Sequence, residues 1–272
     1  MSFTAFGKTE IMIAAVLALT VLVAMVFSAA LKWNRERTKK NRNALIRNAA
    51  VFLSACILLL SALSLPRPKP QTEYAFDLNA VEAYTDSPYT EINENVPFFT
   101  EAEKKLSSFT QFSELDSLGR CGAAMALLDK TMMPKEERGE IDSVKPSGYH
   151  NAVYEDLIED GFLYNRCHLI GFQMSGENAN EKNLITGTRY MNVEGMEPFE
   201  NETAYYLRRT GNHVLYRITP VFAGNELVCR GVLMEAYSVE DKGKGISYCI
   251  FCYNVQPGIE IDYATGTSRR AE

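Results

Sequence analysis

Two uncharged apolar runs, residues 11–31 and 49–65, flank the segment "KWNRERTKKNRNALIRN" and constrain this chain more than any other feature. A helix needs about 20 apolar residues to cross a hydrocarbon core. The first run reaches that length and the second lies near the lower limit. Between them stand Lys32, Arg35, Arg37, Lys39, Lys40, Arg42 and Arg47 against a single Glu36. Short loops rich in Lys and Arg stay on the cytoplasmic side. The pattern predicts two transmembrane helices, a basic cytoplasmic loop, and everything after residue 65 outside. Ser28, Ala29 and Ala30 would suit a signal-peptide cleavage site, but a signal h-region runs to about 7–15 residues and this run is longer.

"PRPKPQTEY" follows the second run and cannot continue a helix, so it reads as the beginning of a stiff linker. The expected organisation is a membrane anchor over residues 1–70, a linker over 71–90 and an extracellular domain over 91–272, long enough for one core of its own. Charge is divided unevenly. Residues 1–70 hold 10 of the 28 Lys+Arg and 2 of the 34 Asp+Glu, which leaves a formal charge of −14 beyond them. Such a field repels polyanions at long range and excludes a non-specific nucleic-acid coat; phosphate binding would need a local cluster of cations. Cys56 falls in the second run, and Cys121, Cys167, Cys229, Cys249 and Cys252 in the outer part. That odd number leaves at least one thiol without an intrachain partner on an oxidising face. "CIFC" has zinc-finger spacing, but it sits in an alternating strand pattern that points its two sulfurs to opposite faces, which argues against a zinc pair.

The outer part reads as more strand than helix. Thr100 and Glu103 form a capping-box pattern that opens a short helix, "EAEKKLSSF", and the apolar "LGRCGAAMALL" fits a buried strand or a helix, the strand being favoured. "AVYEDLIEDGFLYNR" has an Asp160-Gly161 turn signal between two apolar arms and predicts a β-hairpin. "NHVLYRITPVFAGNELVCRGVLMEAYSV" predicts a second hairpin turning at Ala223-Gly224-Asn225, and "ISYCIFCYNVQ" a further strand. "PFENETAYYLRRTG" predicts a helix with Pro198 in its first turn, Gly211 past its end, and Phe199, Thr203, Tyr206 and Leu207 as its buried stripe. The expected class is α+β around an antiparallel sheet.

The chemistry concentrates in "YNRCHLIGFQMSGENANEKNLITGTRYMNVEGMEPFE", residues 164–200. Magnesium takes hard oxygen ligands, keeps several waters, and often uses only one or two protein groups. An Asn carbonyl can serve as such a ligand without cancelling the ion's charge. A near-neutral imidazole suits the activation of water, and a guanidinium fork suits phosphate oxygens. His168, Asn192 and Arg166 supply these types. Arg189, Arg208, Arg209 and Arg217 are candidates for the local nucleic-acid-binding patch, although each alone is a common surface residue. His150 and His213 read as ordinary satisfied histidines, and Tyr205 and Tyr206 as core or rim.

"NRCH" followed by "NLITGTRYMN" and "FE" resembles the DNA/RNA non-specific endonuclease family of the ββα-metal, or His-Me finger, nucleases, which bear an Asp-Arg-Gly-His motif. Within that family the chain is most similar to the membrane-anchored, DNA-entry-type nucleases of Gram-positive bacteria. The resemblance covers roughly residues 90–265, including "YNVQPGIEIDYATG". It implies a ββα-metal nuclease domain in which His168 is the general base and Asn192 the direct magnesium ligand. It further implies that Glu200 holds a metal-bound water, Asn183 supports the site, and Arg166 contacts the scissile phosphate. The implied cofactor is Mg²⁺, with Mn²⁺ as a substitute. The implied activity cuts DNA and RNA with little sequence preference, leaving 5′-phosphate ends. Two positions depart from the motif: its Asp is Asn165 and its Gly is Cys167. A non-cleaving nucleic-acid receptor and an envelope-anchored scaffold are the alternative readings.

Overall fold

The structure is a computed structural model of the 272-residue chain. It describes residues 8–64, 76–105 and 107–272, with the side chains of 8–19 and 57–64 outside the description. The chain divides into two compact units, residues 1–69 and 70–272. The first holds helix α1, Lys8–Arg35, and helix α2, Lys39–Ser64. Thr38 caps α2 by accepting a hydrogen bond from the Asn41 backbone N–H at 3.2 Å. The Asn48 amide donates to the Met25 carbonyl at 3.3 Å and links the two helices. Among the described residues no helix is long and apolar enough to cross a membrane. The side chains of 11–19 and 57–64, and residue 65, lie outside the description, so that expectation rests on the sequence.

In the second unit the strands are β1 (Tyr89–Glu91), β2 (Thr110–Phe112), β3 (Ala124–Leu128), β4 (Tyr164–His168), β5 (Leu184–Thr188), β6 (Val214–Val221), β7 (Gly231–Ser238), β8 (Ser247–Tyr253), β9 (Ile259–Ile261) and β10 (Ser268–Arg270). One antiparallel sheet runs in the order β1-β8-β7-β6-β3-β2. β4 pairs with β5 in a separate ribbon. A short helix α3, Phe172–Ser175, follows β4, and α4, Glu197–Thr210, follows β5. The continuous apolar run "AMALL" of β3 is buried along its whole length, as suits a strand covered on both faces. On one face lies the main core, shared by β4, β5 and α4. The other face carries a smaller cluster of Phe99, Met125, Leu127 and Leu215.

β6 and β7 form the expected hairpin, with Gly224 at φ +51° in its connection. Arg217 of β6 faces Glu235 of β7 and donates to it at 2.6 and 2.9 Å, and to Glu103 at 3.2 Å. Arg217 is therefore a buried structural cation and not part of a phosphate-binding patch. The same Glu103 completes the capping box: its backbone N–H donates to Thr100 Oγ1, and its carboxylate accepts from the Thr100 N–H at 2.8 Å. Among the described residues a single 3₁₀ turn, Glu103–Lys105, stands where a helix was expected, and the Glu103 carboxylate also takes a hydrogen bond from Arg217.

The turn at Asp160-Gly161 exists, with Gly161 at φ +79°, but its two arms share just the bridge Val153–Phe162. β4 takes its ladder from β5 instead, in the register His168–Leu184. The reason is burial: "LITGT" buries all five residues, whereas the upstream arm carries exposed Glu155 and Asp156. The helix α4 agrees with its sequence pattern. Pro198 lies in its first turn, Gly211 ends it at φ +70°, and Thr203, Ala204, Tyr206 and Leu207 are buried. A single π-helical turn, Met191–Met196, precedes it, closed by the Glu197 N–H donating to the Asn192 carbonyl.

Residues 76–90, expected to be linker, pack as a strap along β8 and the π turn. Phe76 stacks on Phe251, with ring centroids 5.8 Å apart. Tyr84 meets Tyr253 at 5.6 Å and Tyr190 at 6.3 Å. The Tyr190 hydroxyl donates to the Asp86 carbonyl at 3.2 Å, and Tyr89 sits edge-on to Phe199 at 4.9 Å. The five outer cysteines are buried and unpaired. Cys252 lies in the main core, while Cys249 faces the charged Glu235–Arg217 pair.

Candidate active site

β4, β5, the π turn and α4 enclose a cleft of about 950 Å³, lined by His168, Arg138, Arg166, Arg189, Asn192 and Glu200 among others. His168 is the last residue of β4 and is buried. Its Nε2 lies 2.8 Å from the Asn178 carbonyl oxygen. A carbonyl can only accept, so Nε2 carries the proton and the lone pair resides on Nδ1. Nδ1 lies 3.5 Å from a guanidinium nitrogen of Arg138. Burial holds the imidazole below its ordinary value of 6.5; the Asn178 carbonyl opposes this, and the charge of Arg138 adds to it. The result is a neutral base with a defined working nitrogen.

Asn192 lies on the π turn, and its side-chain amide makes no hydrogen bond to the described protein. Glu200 lies one turn into α4, beside Gly171; a Cβ built on that glycine would sit 2.9 Å from a Glu200 oxygen and would push the carboxylate aside. Burial, and then the charge of Glu197, push the Glu200 carboxyl up to about 8. The charge of Arg138 opposes this without cancelling it, so the carboxylate is under-compensated. Together with the amide oxygen of Asn192 it forms a hard-oxygen donor set that fits a small divalent cation retaining most of its waters. Among the described residues no three His, Cys, Asp or Glu side chains group as a metal cage.

The remaining sequence candidates separate into those in the cleft and those behind it. Arg166 lines the cleft, but four of its five N–H donors are committed. Nε donates to the Val144 carbonyl at 2.7 Å, the Nη1 group to Asp142 at 2.9 Å and the Tyr149 hydroxyl at 3.3 Å, and Nη2 to the Asp142 carbonyl at 3.2 Å. Its guanidinium also lies over the Tyr149 ring at 4.5 Å. Arg166 thus clamps the 142–149 loop and is poorly placed to grip a phosphate as expected. Asn183 is fully buried behind the cleft. Its amide accepts from the Ile170 N–H at 2.8 Å and donates to the Ile170 carbonyl at 3.0 Å, fixing the turn that follows His168. Arg189 lines the cleft and pairs with Asp160 at 3.3 Å. Arg208 and Arg209 are exposed in the last turn of α4 and do not line it. His213 pairs with Glu240, and His150 is exposed.

Arg138 is the residue that sequence reasoning missed. It lies in the polar stretch "PKEERGE", which has no periodicity and no motif to single out one cation. The Cys167 departure from the motif is absorbed locally. Cys167 points into the core against Gly187, where a Cβ would sit 2.4 Å from its sulfur, so one glycine makes room for the cysteine that replaces another. The Asn165 Oδ1 is buried without a hydrogen-bond partner.

The family described as DNA/RNA non-specific endonuclease matches residues 101–240. A curated relative named deoxyribonuclease, from Streptococcus dysgalactiae subsp. equisimilis, is 29% identical over 109 residues, which are 38% of this chain and 32% of that protein. The match thus spans about a third of that relative's length. The fold is similar to that of NucA from Streptococcus agalactiae, solved with a magnesium ion bound. The TM-score is 0.60 at 23% identity, over 70% of this chain and 89% of that one. The Sda1 nuclease, solved with a bound zinc ion, aligns with a TM-score of 0.51 at 27% identity, over 60% of this chain and 82% of that one.

Proposed function

The chain belongs to the DNA/RNA non-specific endonuclease family, and we propose that it is a membrane-tethered endonuclease that hydrolyses phosphodiester bonds of DNA, and of RNA, outside the cell. The observation that carries this reading is His168: a proton fixed on Nε2 by the Asn178 carbonyl leaves Nδ1 as a base in a cleft opposite Asn192 and Glu200. Nδ1 takes a proton from the attacking water. Arg138, beside that nitrogen, meets the negative oxygens of the phosphate, which Arg166 cannot do while it clamps its loop. Asn192 and Glu200 would hold the divalent cation, magnesium or manganese, and the cation supplies charge stabilisation at the phosphate and the leaving oxygen. The water oxygen bonds to phosphorus as the bond to the 3′ oxygen breaks; that oxygen takes a proton from solvent and leaves as a hydroxyl, and the other product carries a 5′-phosphate. Asn183 keeps the base in place by holding Ile170.

Plasmid digestion by the full-length chain tests this reading. Cleavage should require Mg²⁺ or Mn²⁺, cease with chelator, and fall about 10²–10⁴-fold in His168→Ala, the usual worth of a general base. Digestion that persists in chelator, or in His168→Ala, would sink it. The two apolar runs and the basic loop between them support the tether and its orientation. Protease added to intact cells should therefore release a fragment containing His168. Protection of that fragment until the membrane is opened would reverse the orientation.

A further inference from the structure

The cleft extends well beyond the base. β4 and β5 form a ribbon with His168 and Leu184 at one end and Tyr164 and Thr188 at the other, four residue steps or about 13 Å away. At that far end the lining changes character, with Phe162, Asp160, Tyr149 and Arg189. Phe162 is 51% exposed, although a large apolar ring there gains nothing from water. Its position is well fixed. The Phe162 N–H donates to Asp160 Oδ1 at 3.3 Å, its backbone bridges to Val153, and Gly161 provides the left-handed turn before it. Asp160 Oδ2 takes the Nε of Arg189 at 3.3 Å, and the Arg189 backbone N–H donates to the Leu163 carbonyl at 2.8 Å. One carboxylate thus ties the Phe162 backbone and the Arg189 guanidinium to the same turn, and both side chains line the cleft. The Nη groups of Arg189 have no protein acceptor among the described residues.

We propose that Phe162 and Arg189 form a nucleotide subsite in which the ring stacks an unpaired nucleobase of the substrate strand and the guanidinium takes that nucleotide's phosphate. The subsite rests on the nuclease reading and deepens it. A flat, exposed aromatic beside an arginine is how proteins hold single-stranded nucleic acid with little regard for sequence, because every base has a π face. The charge of this chain makes such a contact valuable. Beyond residue 70 the formal charge is −14, so affinity for a polyanion must come from a few local cations and from uncharged contacts that the acidic field does not oppose. Stacking needs a base that has left the duplex, so the substrate class is single-stranded or locally opened nucleic acid, with either sugar. Val153, exposed and bridged to Phe162, lies beside it.

The test compares the full-length parent with Phe162→Ala and Phe162→Trp in magnesium. The substrates are a single-stranded oligonucleotide, the same strand fully paired, and single-stranded versions in which one abasic residue is moved along the sequence. Phe162→Ala should lower kcat/KM on the single strand by about 5- to 150-fold, mostly through KM, and should narrow the preference for single strand over duplex. Phe162→Trp should restore it. At one abasic position the parent should lose a similar factor, and Phe162→Ala should lose nothing further there, since both changes remove the same stack. Equal losses on single strand and duplex, losses that add at every abasic position, or a tryptophan variant no better than alanine would overturn the subsite. So would a KM that does not move, which would leave the exposed rim to a protein partner. A parent that cleaves no nucleic acid in any form would overturn the nuclease reading itself, and the subsite with it.

Discussion

His168 and Glu200 are two titratable groups that one cleft pushes in useful directions. Burial keeps the imidazole neutral and so basic, while the carboxyl opposite is held protonated near neutrality until a cation arrives. The second effect has a measurable sign. Glu200 is raised from 4.5 to about 8 in the folded chain, so the folded state binds this proton more tightly than the unfolded state. Its contribution to stability is complete below pH 4.5 and is lost as pH rises through 8. In chelator, the melting temperature of the nuclease unit should fall across that window. Glu200→Gln should flatten the fall, and added magnesium should offset it in the parent. An equal slope in the glutamine variant would assign the effect to another group. The sequence made the residue types of the site readable but not their partners. Arg166 looks like a phosphate ligand until Asp142, 24 positions upstream, is seen to hold it, and Arg138 is one cation in a polar loop until the fold sets it beside His168.

The elements that were legible were the local ones. Helix α4 announced itself through Pro198, Gly211 and its apolar stripe, and the β6–β7 hairpin through its turn and two matched arms. The β4–β5 ribbon was hidden because its strands lie far apart in sequence, and a nearer turn offered β4 a closer partner. The strap over residues 76–90 was hidden because proline-rich sequence suggests a spacer, while Tyr84 and Tyr89 find aromatic partners only in the assembled fold. Those partners flank the metal-facing residues: Tyr190 stands two positions before Asn192 and Phe199 one before Glu200. A π turn is wider and less regular than the α-helix it leads into, so the strap should hold Asn192 in register. Asn192→Ala should raise the magnesium requirement steeply with a near-normal melt. Tyr84→Ala, which removes two aromatic pairs, should cost about 1–3 kcal/mol of stability and raise the same requirement to a lesser degree. Cleavage rate against magnesium concentration for both variants decides this. A parental magnesium curve in Tyr84→Ala would confine the strap to stability.

For the whole molecule, the formal charge of −14 beyond residue 70 is the dominant long-range property, and it opposes the proposed substrate. Salt should therefore act in two stages. At 0.01 M ionic strength the Debye length is about 30 Å and long-range repulsion prevails; at 0.1 M it is about 10 Å and the repulsion is largely screened. Cleavage of long DNA should accelerate severalfold over that interval, then slow as the arginine–phosphate contacts are themselves weakened. A rate that falls steadily from the lowest salt would mean that DNA approaches a face insulated from the acidic surface.

The buried cysteines carry a different consequence, one of fate after damage. Burial pushes Cys229 up to about 12 and Cys121 up to about 11, so neither forms the thiolate that oxidants attack, and in the folded state they behave as small core hydrophobes. Unfolding in an oxidising medium would return all of them to ordinary reactivity together. A chain kept unfolded there for the seconds to hours that disulfides need would gather non-native cross-links, and these would block its return. The same thiols that pack the core thus act as a fuse: harmless while the fold is intact, and a one-way commitment to inactivation once it opens.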